Sequence, residues 1–503
     1  MPSLLPVDEE RPTNLLDYAP TSDADVGLLG RIGDWITRQQ QKSADMGLWT
    51  GGQAWEGGHP TGKGVTDAGL QMAGNFEGGL KFAPHLTPNL PRADTISTRV
   101  PTSVKFTGDA HGDDSLIIDR AAMRESGDAY TKNADLIRNG DYPGLKVPEG
   151  ATDEEVYDLL HDHVKDNLRF LYDNVPDAVR ERAPQWYPGG NKLLNNWASD
   201  YDVLPRQVAG TIASLSPQKV WDENVSLAKR ILDVRRDKGD MVMTPEMSEL
   251  IQGYAAAKKN PKWQQHVLDA HATFEHTPFG ELNDPLHQAY WTRAYDEAHN
   301  DSAFQLVSPE GRLGEVSLKK DGTPAGVSWG SFGDIAKAHS VLNDGTVDNV
   351  SASMGSNHKV RNFYNNLIDP TDPRHVTIDT HAVAAAHLLP LGGNHEIVTN
   401  GLGLSGSASN ATGAKGLYGV YADAYRDLGK ELNIPPRALQ SVTWEGLRGL
   451  FSPAQKRDKN LVADVNNIWR RHTDGEIDGP AARQLIFDRS GGIDNPGWVT
   501  INR

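Results

Sequence analysis

The chain has 503 residues, 38% of them hydrophobic and 12 of them tryptophan, enough to build sizeable cores in two to four domains of about 100–200 residues each. It carries 50 Lys and Arg against 67 Asp and Glu, a net charge of −17, which argues against broad, non-specific binding to a polyanion. Cysteine is absent, so disulfides, thiol catalysis and cysteine-ligated clusters are excluded.

Residues 1–24 read as a disordered arm, because Pro2, Pro6, Pro12 and Pro20 fall among clustered acids. This start is acidic and proline-punctuated rather than basic then apolar, so it offers no signal peptide. No stretch of the chain approaches the roughly 18–20 apolar residues of a membrane span. Val26, Leu28, Leu29, Ile32, Trp35 and Ile36 predict a short amphipathic helix within 24–45. From Gly47 to Gly79, eleven of 33 residues are glycine, which rules out a stable long helix. Trp49, Trp55, Leu70, Met72 and Phe76 in this segment still need cover. It is either a linker packed along a domain surface or a docking peptide for a partner. Residues 1–99 together are expected to form a largely extended Gly/Trp-rich arm.

Residues 100–150 read as a small α+β connecting segment, with strand character at Val104, Phe106 and Leu116 to Ile118. Thr152-Asp-Glu-Glu155 is a capping box that launches a helix through Val156, Leu160, Val164, Leu168 and Leu171. His161 and His163 lie two apart on that helix and face away from each other, so no metal site is expected there. Trp186-Tyr-Pro-Gly-Gly-Asn191 reads as a turn, before helices at about 191–201, 205–215 and 221–236. Residues 244–300 look helical and polar, with Trp263, Trp291 and Tyr295 as packing residues. A β-hairpin then pairs Gly314–Leu318 with Ala325–Trp329 around the turn signal Asp321-Gly322. Residues 403–415 are a Gly/Ser/Asn loop, and helices follow at about 416–433, 436–450 and 457–472. Pro435 and Pro436 suit the start of the second of these. The stretch from Arg448 to Arg471 is locally basic, with six Lys and Arg against two Asp.

The stretch richest in chemistry lies between residues 353 and 389. Gly355 opens a turn, Lys359 falls in the first turn of the next helix, and Val376-Thr-Ile378 delivers Asp379 to the start of an apolar helix, Ala382 to Leu389. Helix N-terminal amides favour an ionised acid at that point, which could stabilise positive charge or steer a water. A plain N-cap is the other reading of the same position.

The pattern resembles the core of the helix–hairpin–helix DNA glycosylases, the endonuclease III superfamily. Gly355 matches the first hairpin glycine, Lys359 the lysine, and Ile378-Asp379-Thr380-His381 the stretch carrying the family's essential aspartate. Ile335, Ala338, Leu342 and Gly345 resemble the helix before the hairpin. Val208 to Gln218, with Asn224, resembles an early helix ending in Leu-Ser-x-Gln. Asn357 stands where the second hairpin glycine is usual, Ser353-Met354 replaces Leu-Pro, and the interval from Gln218 to Gly355 is long. The resemblance covers roughly residues 190–245 and 330–395. It implies a mainly α fold: a glycosylase-like helical core in two parts, 151–243 and 331–503. A helical and β-hairpin insertion at 244–330 would separate them.

The resemblance also implies chemistry. DNA would be bound locally and a base extruded from the stack, at a cost of a few kcal/mol. Asp379 would stabilise the oxocarbenium-like sugar. Lys359 would either contact phosphate or attack C1′ to form a Schiff base, which needs a lowered pKa from burial or from a cationic neighbour such as His358 or Arg361. Gly355, Asn357, His358, Arg361, Gln218, Asn224 and His381 would contact DNA. Gln218 would fill the hole left by the flipped base, or simply end its helix. Many endonuclease III relatives carry an iron–sulfur cluster, which this chain cannot hold without cysteine, and no other cofactor is implied.

A reading of a different class is a bacteriophage virion or ejection-apparatus protein that keeps the fold without catalysis. The run Glu56-Gly-Gly-His-Pro-Thr-Gly62 resembles arms of large phage virion proteins, and residues 24–80 would then dock on other virion proteins. Either reading puts the chain in the host cytoplasm or the particle interior. A DNA-binding module without chemistry would need a basic face that the sequence does not display. Glu445 beside Trp444 invites comparison with a glycosidase, but no partner carboxylate is evident. Neither a Gly-x-Ser-x-Gly elbow nor a His-Glu-x-x-His helix occurs.

Overall fold

The computed structural model describes residues 119–124, 127–319, 321–354, 358–403 and 416–494, with an isolated ladder of β1 (Trp55–Glu56) and β2 (His59–Pro60). The helix expected within 24–45, the strand character at 104–118, the hairpin residues Gly355 and Asn357, and most of the loop at 403–415 lie outside these residues.

Short α1 (Arg120–Arg124) and α2 (Asp128–Asn139) lead into α3 (Asp153–Asn174). The capping box forms as expected: Glu155 N–H donates to Thr152 Oγ1, and the Glu155 carboxylate accepts from Thr152 N–H at 2.8 Å. Val156, Leu160, Val164, Leu168 and Leu171, at helical spacing, are all fully buried. His161 and His163 point to different partners, His161 to Asp427 at 3.0 Å and His163 to Asn167 at 3.0 Å.

After α4 (Asp177–Arg182) comes a departure from expectation. Trp186 to Asn191 is not a turn but the first part of α5 (Trp186–Asp200). Pro188 sits in the first turn, where a missing N–H costs nothing. Gly189 and Gly190 serve close packing: a Cβ on Gly189 would lie 1.9 Å from Pro309 O, and one on Gly190 2.8 Å from Leu367. Helices α6 (Pro205–Ser214) and α7 (Trp221–Asp237) fall where the apolar spacing put them.

Helices α8 (Pro245–Ala256), α9 (Pro261–Phe274) and α10 (Pro285–His299) follow, each with proline at its first position and a side-chain cap from Thr244, Asn260 or Asp284. Trp291 is fully buried and stacks on Tyr295 with ring centroids 5.4 Å apart. Strand pairing also differs from expectation. β3 (Gln305–Val307) pairs antiparallel with β4 (Leu313–Val316), so the predicted strand at 314–318 finds its main partner upstream. The turn at Gly322 does form, with φ 80°, but downstream pairing is reduced to single bridges such as Leu318 with Pro324.

The remaining helices are α11 (Phe332–Asn343), α12 (Val347–Met354), α13 (His358–Ile368), α14 (Thr380–His387), α15 (Glu396–Leu402), α16 (Tyr418–Leu432), α17 (Pro436–Leu450), α18 (Lys459–Thr473) and α19 (Gly479–Arg489). Ile335, Ala338 and Leu342 are buried on α11, yet α12 intervenes between that helix and residue 355.

The chain is mainly helical, with two apolar cores. One joins residues 123–183 to 376–487; the other is built from 187–367. The ends of the described chain thus enclose its middle. Residues 244–330 are not a separate appendage, because Met247, Phe274, Trp291 and Trp329 share the second core with Ile212 and Leu342. No described helix is long and apolar enough to cross a membrane.

If the glycines of α5 are there for packing, Gly189→Ala must push the Pro309 backbone away. We expect it to destabilise the protein by about 1–3 kcal/mol, read as a lower urea midpoint. Gly239→Ala, where a Cβ meets nothing within 4 Å, is the control and should leave the midpoint nearly unchanged.

Candidate functional site

The segment between α13 and α14 passes from one core to the other. Val376 and Ile378 are fully buried in the first core and anchor it by their β-branched side chains. Ile378 N–H donates to Tyr418 Oη at 3.0 Å, and that hydroxyl lies 3.0 Å from Val376 O, which accepts from it. Asn366 on α13 donates to Thr377 Oγ1 at 2.9 Å, tying the segment to the second core. Asp379 emerges from this clamp as the N-cap of α14, and its Oδ1 accepts from Ala382 N–H at 2.8 Å. The capping role is real, and it leaves the other carboxylate oxygen outside that bond.

Lys359, in the first turn of α13, lies close enough for the Asp379 carboxylate to favour its ammonium form, although burial acts more strongly and pushes its pKa down. Its Nζ is 3.5 Å from Ser216 O in the turn after α6. Two residues on, Gln218 is exposed and holds φ 59°, a left-handed conformation that projects it from the turn. Lys359, Asp379 and Gln218, far apart in sequence, thus come from elements around one junction between the cores.

Three further residues converge on Asp379. Arg448 of α17 stacks over Trp444, with Cζ 4.4 Å from the ring centroid. Lys456, in the 3₁₀ turn Gln455–Arg457, places Nζ 3.4 Å from His381 Nδ1. His381, two residues beyond Asp379, also meets the edge of Trp444, with centroids 6.4 Å apart. Burial pushes the Lys456 pKa down to about 8; Asp379 opposes that shift and Arg448 adds to it. Burial, then the positive fields of Lys456, Arg448 and Lys359, hold the His381 imidazole well below its ordinary range. Arg448 is lowered by burial against the pull of Asp222, Glu445 and Asp379. Asp222 of α7 accepts from Val307 N–H at 2.7 Å, and burial raises its pKa. Lys359, His381, Arg448 and Lys456 are each half-buried at this junction, with part of their surface left accessible.

Several residues expected at a DNA surface are engaged elsewhere. Arg361 is 4% exposed and donates to Ser351 Oγ and O at 2.9 and 2.8 Å, so it braces α12 against α13. His358 is buried against Tyr418. Neither is the cause of the Lys359 shift, which comes from burial. Asn224 is 2% exposed and sits inside the second core rather than at a surface. Glu445 is wholly buried and accepts from Arg182 at 2.6 Å and Trp186 Nε1 at 2.6 Å, a structural tie between α4, α5 and α17. No group of three or more metal-ligating side chains occurs among the described residues. A groove of about 360 Å³ lined by Tyr201, Gln207, Arg235 and Arg236 shares no residue with the Asp379 cluster.

Sequence reasoning missed Lys456, Arg448 and Asp222. The signal for the first two was the basic stretch after Arg448, whose charges alternate between the cleft and open solvent: Arg470 on the same stretch is exposed.

Two segments, residues 153–252 and 315–450, match the profile of a family described as a family of unknown function (DUF7178). They take in Gln218, Asp222, Lys359, Asp379, His381, Trp444 and Arg448, but not Lys456. The unmatched interval lies within the stretch 244–330. No curated protein and no solved structure matches the chain.

A desolvated lysine has a stability signature. The unfolded chain holds the Lys456 proton up to its ordinary pKa of 10.5, whereas the folded chain releases it near 8. Between those values the unfolded state binds more protons, so stability rises with pH, and below about 8 the whole penalty remains. Lys456→Met should therefore be more stable than the wild type at pH 7, by on the order of 1 kcal/mol or more. It should also lose the rise between pH 8 and 10. Denaturant titrations at several pH values read both effects, and a variant less stable at pH 7 would refute the assignment.

Proposed function

We propose that the chain acts on DNA as a helix–hairpin–helix glycosylase-like enzyme, with Asp379 and Lys359 at the reacting sugar. One observation carries the reading: an amine with a burial-lowered pKa meets the field of a carboxylate at the junction of two cores, and its Nζ lies 3.5 Å from Ser216 O, two residues before an exposed glutamine on a left-handed turn. The order of these three along the chain is also that of the resemblance described above.

The chemistry follows from the groups. A nucleotide extruded from the duplex enters the cleft, and Gln218 occupies the vacated space in the stack. As the base departs, positive charge grows at C1′, and the Asp379 carboxylate stabilises it; help of this kind is typically worth about 10²–10⁴-fold. Lys359 must be neutral to act as a nucleophile, and burial raises its neutral fraction at ordinary pH. At an abasic site its nitrogen adds to the C1′ aldehyde, water leaves, and a C1′=N imine forms. Loss of the proton at C2′ then expels the 3′ phosphate. His381 and the segment around Gly355 and Asn357 would contact the backbone. His358 and Arg361 act here by packing, and Asn224 by filling the core.

The competing reading is a phage structural protein that retains this architecture without turnover. The net charge of −17, Asn357 in place of a glycine and the Gly/Trp-rich arm favour it. Residues 24–80 would then bind other virion proteins, and the chain would reside in the particle rather than the host cytoplasm.

Borohydride trapping separates the two. A duplex with a single abasic site should give a covalent adduct with wild-type protein, because hydride reduces the imine to a stable secondary amine. The adduct should vanish in Lys359→Ala, and Asp379→Asn should slow base release from a damaged duplex by about 10²-fold or more. No adduct, together with no base release from damaged duplexes, would leave the structural reading standing.

A further inference from the structure

Lys359, Arg448 and Lys456 come from three elements, α13, α17 and the 3₁₀ turn after it, and all three feel Asp379. Among the described residues, none of the three has a carboxylate within salt-bridge distance, whereas most buried or half-buried arginines elsewhere in the chain do, such as Arg182, Arg230 and Arg293. The acids facing them are Asp379, Asp222 and Glu445. Asp379 spends one oxygen on Ala382 N–H, Asp222 one on Val307 N–H, and Glu445 is taken by Arg182 and Trp186. Charges desolvated without a partner are costly, and proteins keep them where a ligand supplies the counter-charge.

We propose that the cleft contains an anion subsite in which Lys456 and Arg448 together bind a phosphate group beside Asp379. The geometry suits a tetrahedral oxyanion. Arg448 lies over Trp444, with Cζ 4.4 Å from the ring centroid, which restrains its fork of N–H donors. Lys456 Nζ is steadied at 3.4 Å from the neutral His381 ring, which has no positive charge to compete for the anion. Lys359, whose Nζ lies 3.5 Å from Ser216 O, stays available for a different task. In the enzymatic reading, on which this last identification rests, the occupant is the phosphodiester next to the reacting sugar. The subsite then positions the sugar and takes no part in bond making. Both residues lie outside the segments that resemble the glycosylases, so that resemblance assigns them nothing.

Labelled sulfate, which keeps its double charge across the pH range, is the probe, measured by equilibrium dialysis on the full chain at constant ionic strength. Near pH 7 we expect one sulfate per chain. Lys456→Gln and Arg448→Gln should each weaken it at least about tenfold, whereas Lys456→Arg and Arg448→Lys, which keep the charge, should retain most of it. Arg470→Gln, at an exposed position on the same basic stretch, should change nothing. Wild-type affinity should fall as pH rises past about 8, where Lys456 loses its proton, and the Lys456→Arg protein should not show that fall. Sulfate binding that is absent, or equal in both Gln variants and wild type, overturns the proposal.

Competition identifies the source. Displacement of sulfate by a duplex with a reduced abasic sugar supports the phosphodiester. Displacement by ribose 5-phosphate but not by the duplex keeps the subsite and removes DNA as its occupant. A sulfate site present in a protein that gives neither a borohydride adduct nor base release sinks the enzymatic reading alone.

Discussion

Everything proposed for this protein depends on how Val376 to Ile378 is held between two apolar cores. An extended segment has no internal hydrogen bonds, so each buried backbone group in it needs an outside partner. Tyr418 serves two of these groups with one hydroxyl, and Thr377 reaches Asn366 across the junction. The side chains alternate, so Val376 and Ile378 enter the first core while Thr377 faces the second. Asp379 is therefore positioned by both cores at once. A carboxylate at the end of such a rigid strap keeps its geometry without reorganisation when charge develops nearby, which is where electrostatic stabilisation is most effective.

The same junction concentrates charge that the fold itself does not need. Arg182, Arg230 and Arg293 show how the chain ordinarily treats a buried cation: each meets a carboxylate at 2.6–2.9 Å. Lys359, Arg448 and Lys456 break that habit, and burial lowers the pKa of all three. Local stability is thus given up around Asp379, as it also is at Arg235, which burial lowers and which meets Asn343 rather than a carboxylate. Three such cations around one carboxylate mark a candidate functional place, because selection for stability alone tends to pair or remove such charges.

Much of the helical frame could be read from residues. The Thr152 capping box, the proline start at 436 and the N-cap at Asp379 are local signals whose physics does not wait for tertiary contacts, and each formed where it was expected. The misreadings share a cause. Gly189 and Gly190 carry the composition of a turn, but their reason for lacking a Cβ lies more than a hundred residues away, at Pro309 and Leu367. The strand at 314–318 has a good turn signal after it, yet pairs with residues before it. In the site, Asp379 and Lys359 were visible because motif spacing is local. Arg361, which looked like a surface cation, turned out to be a brace, because its partner Ser351 is only visible once α12 folds back. Lys456 was only one of six cations in the basic stretch from Arg448 to Arg471, because nothing in sequence says that its turn brings it to His381.

The acidic surface and the cationic cleft need not be in conflict. With a net charge of −17, the chain repels polyanions at long range, and over a Debye length of about 8 Å in physiological salt that repulsion is largely screened. Inside the cleft the protein excludes much of that screening solvent, so a few cations act at close quarters with far greater effect than the same number on an open face. Binding then depends on presenting an anion of the right size to one place, and diffuse contact along a duplex contributes little. Few phosphates would be neutralised, so the salt dependence of binding would be shallow compared with that of a protein carrying a basic face.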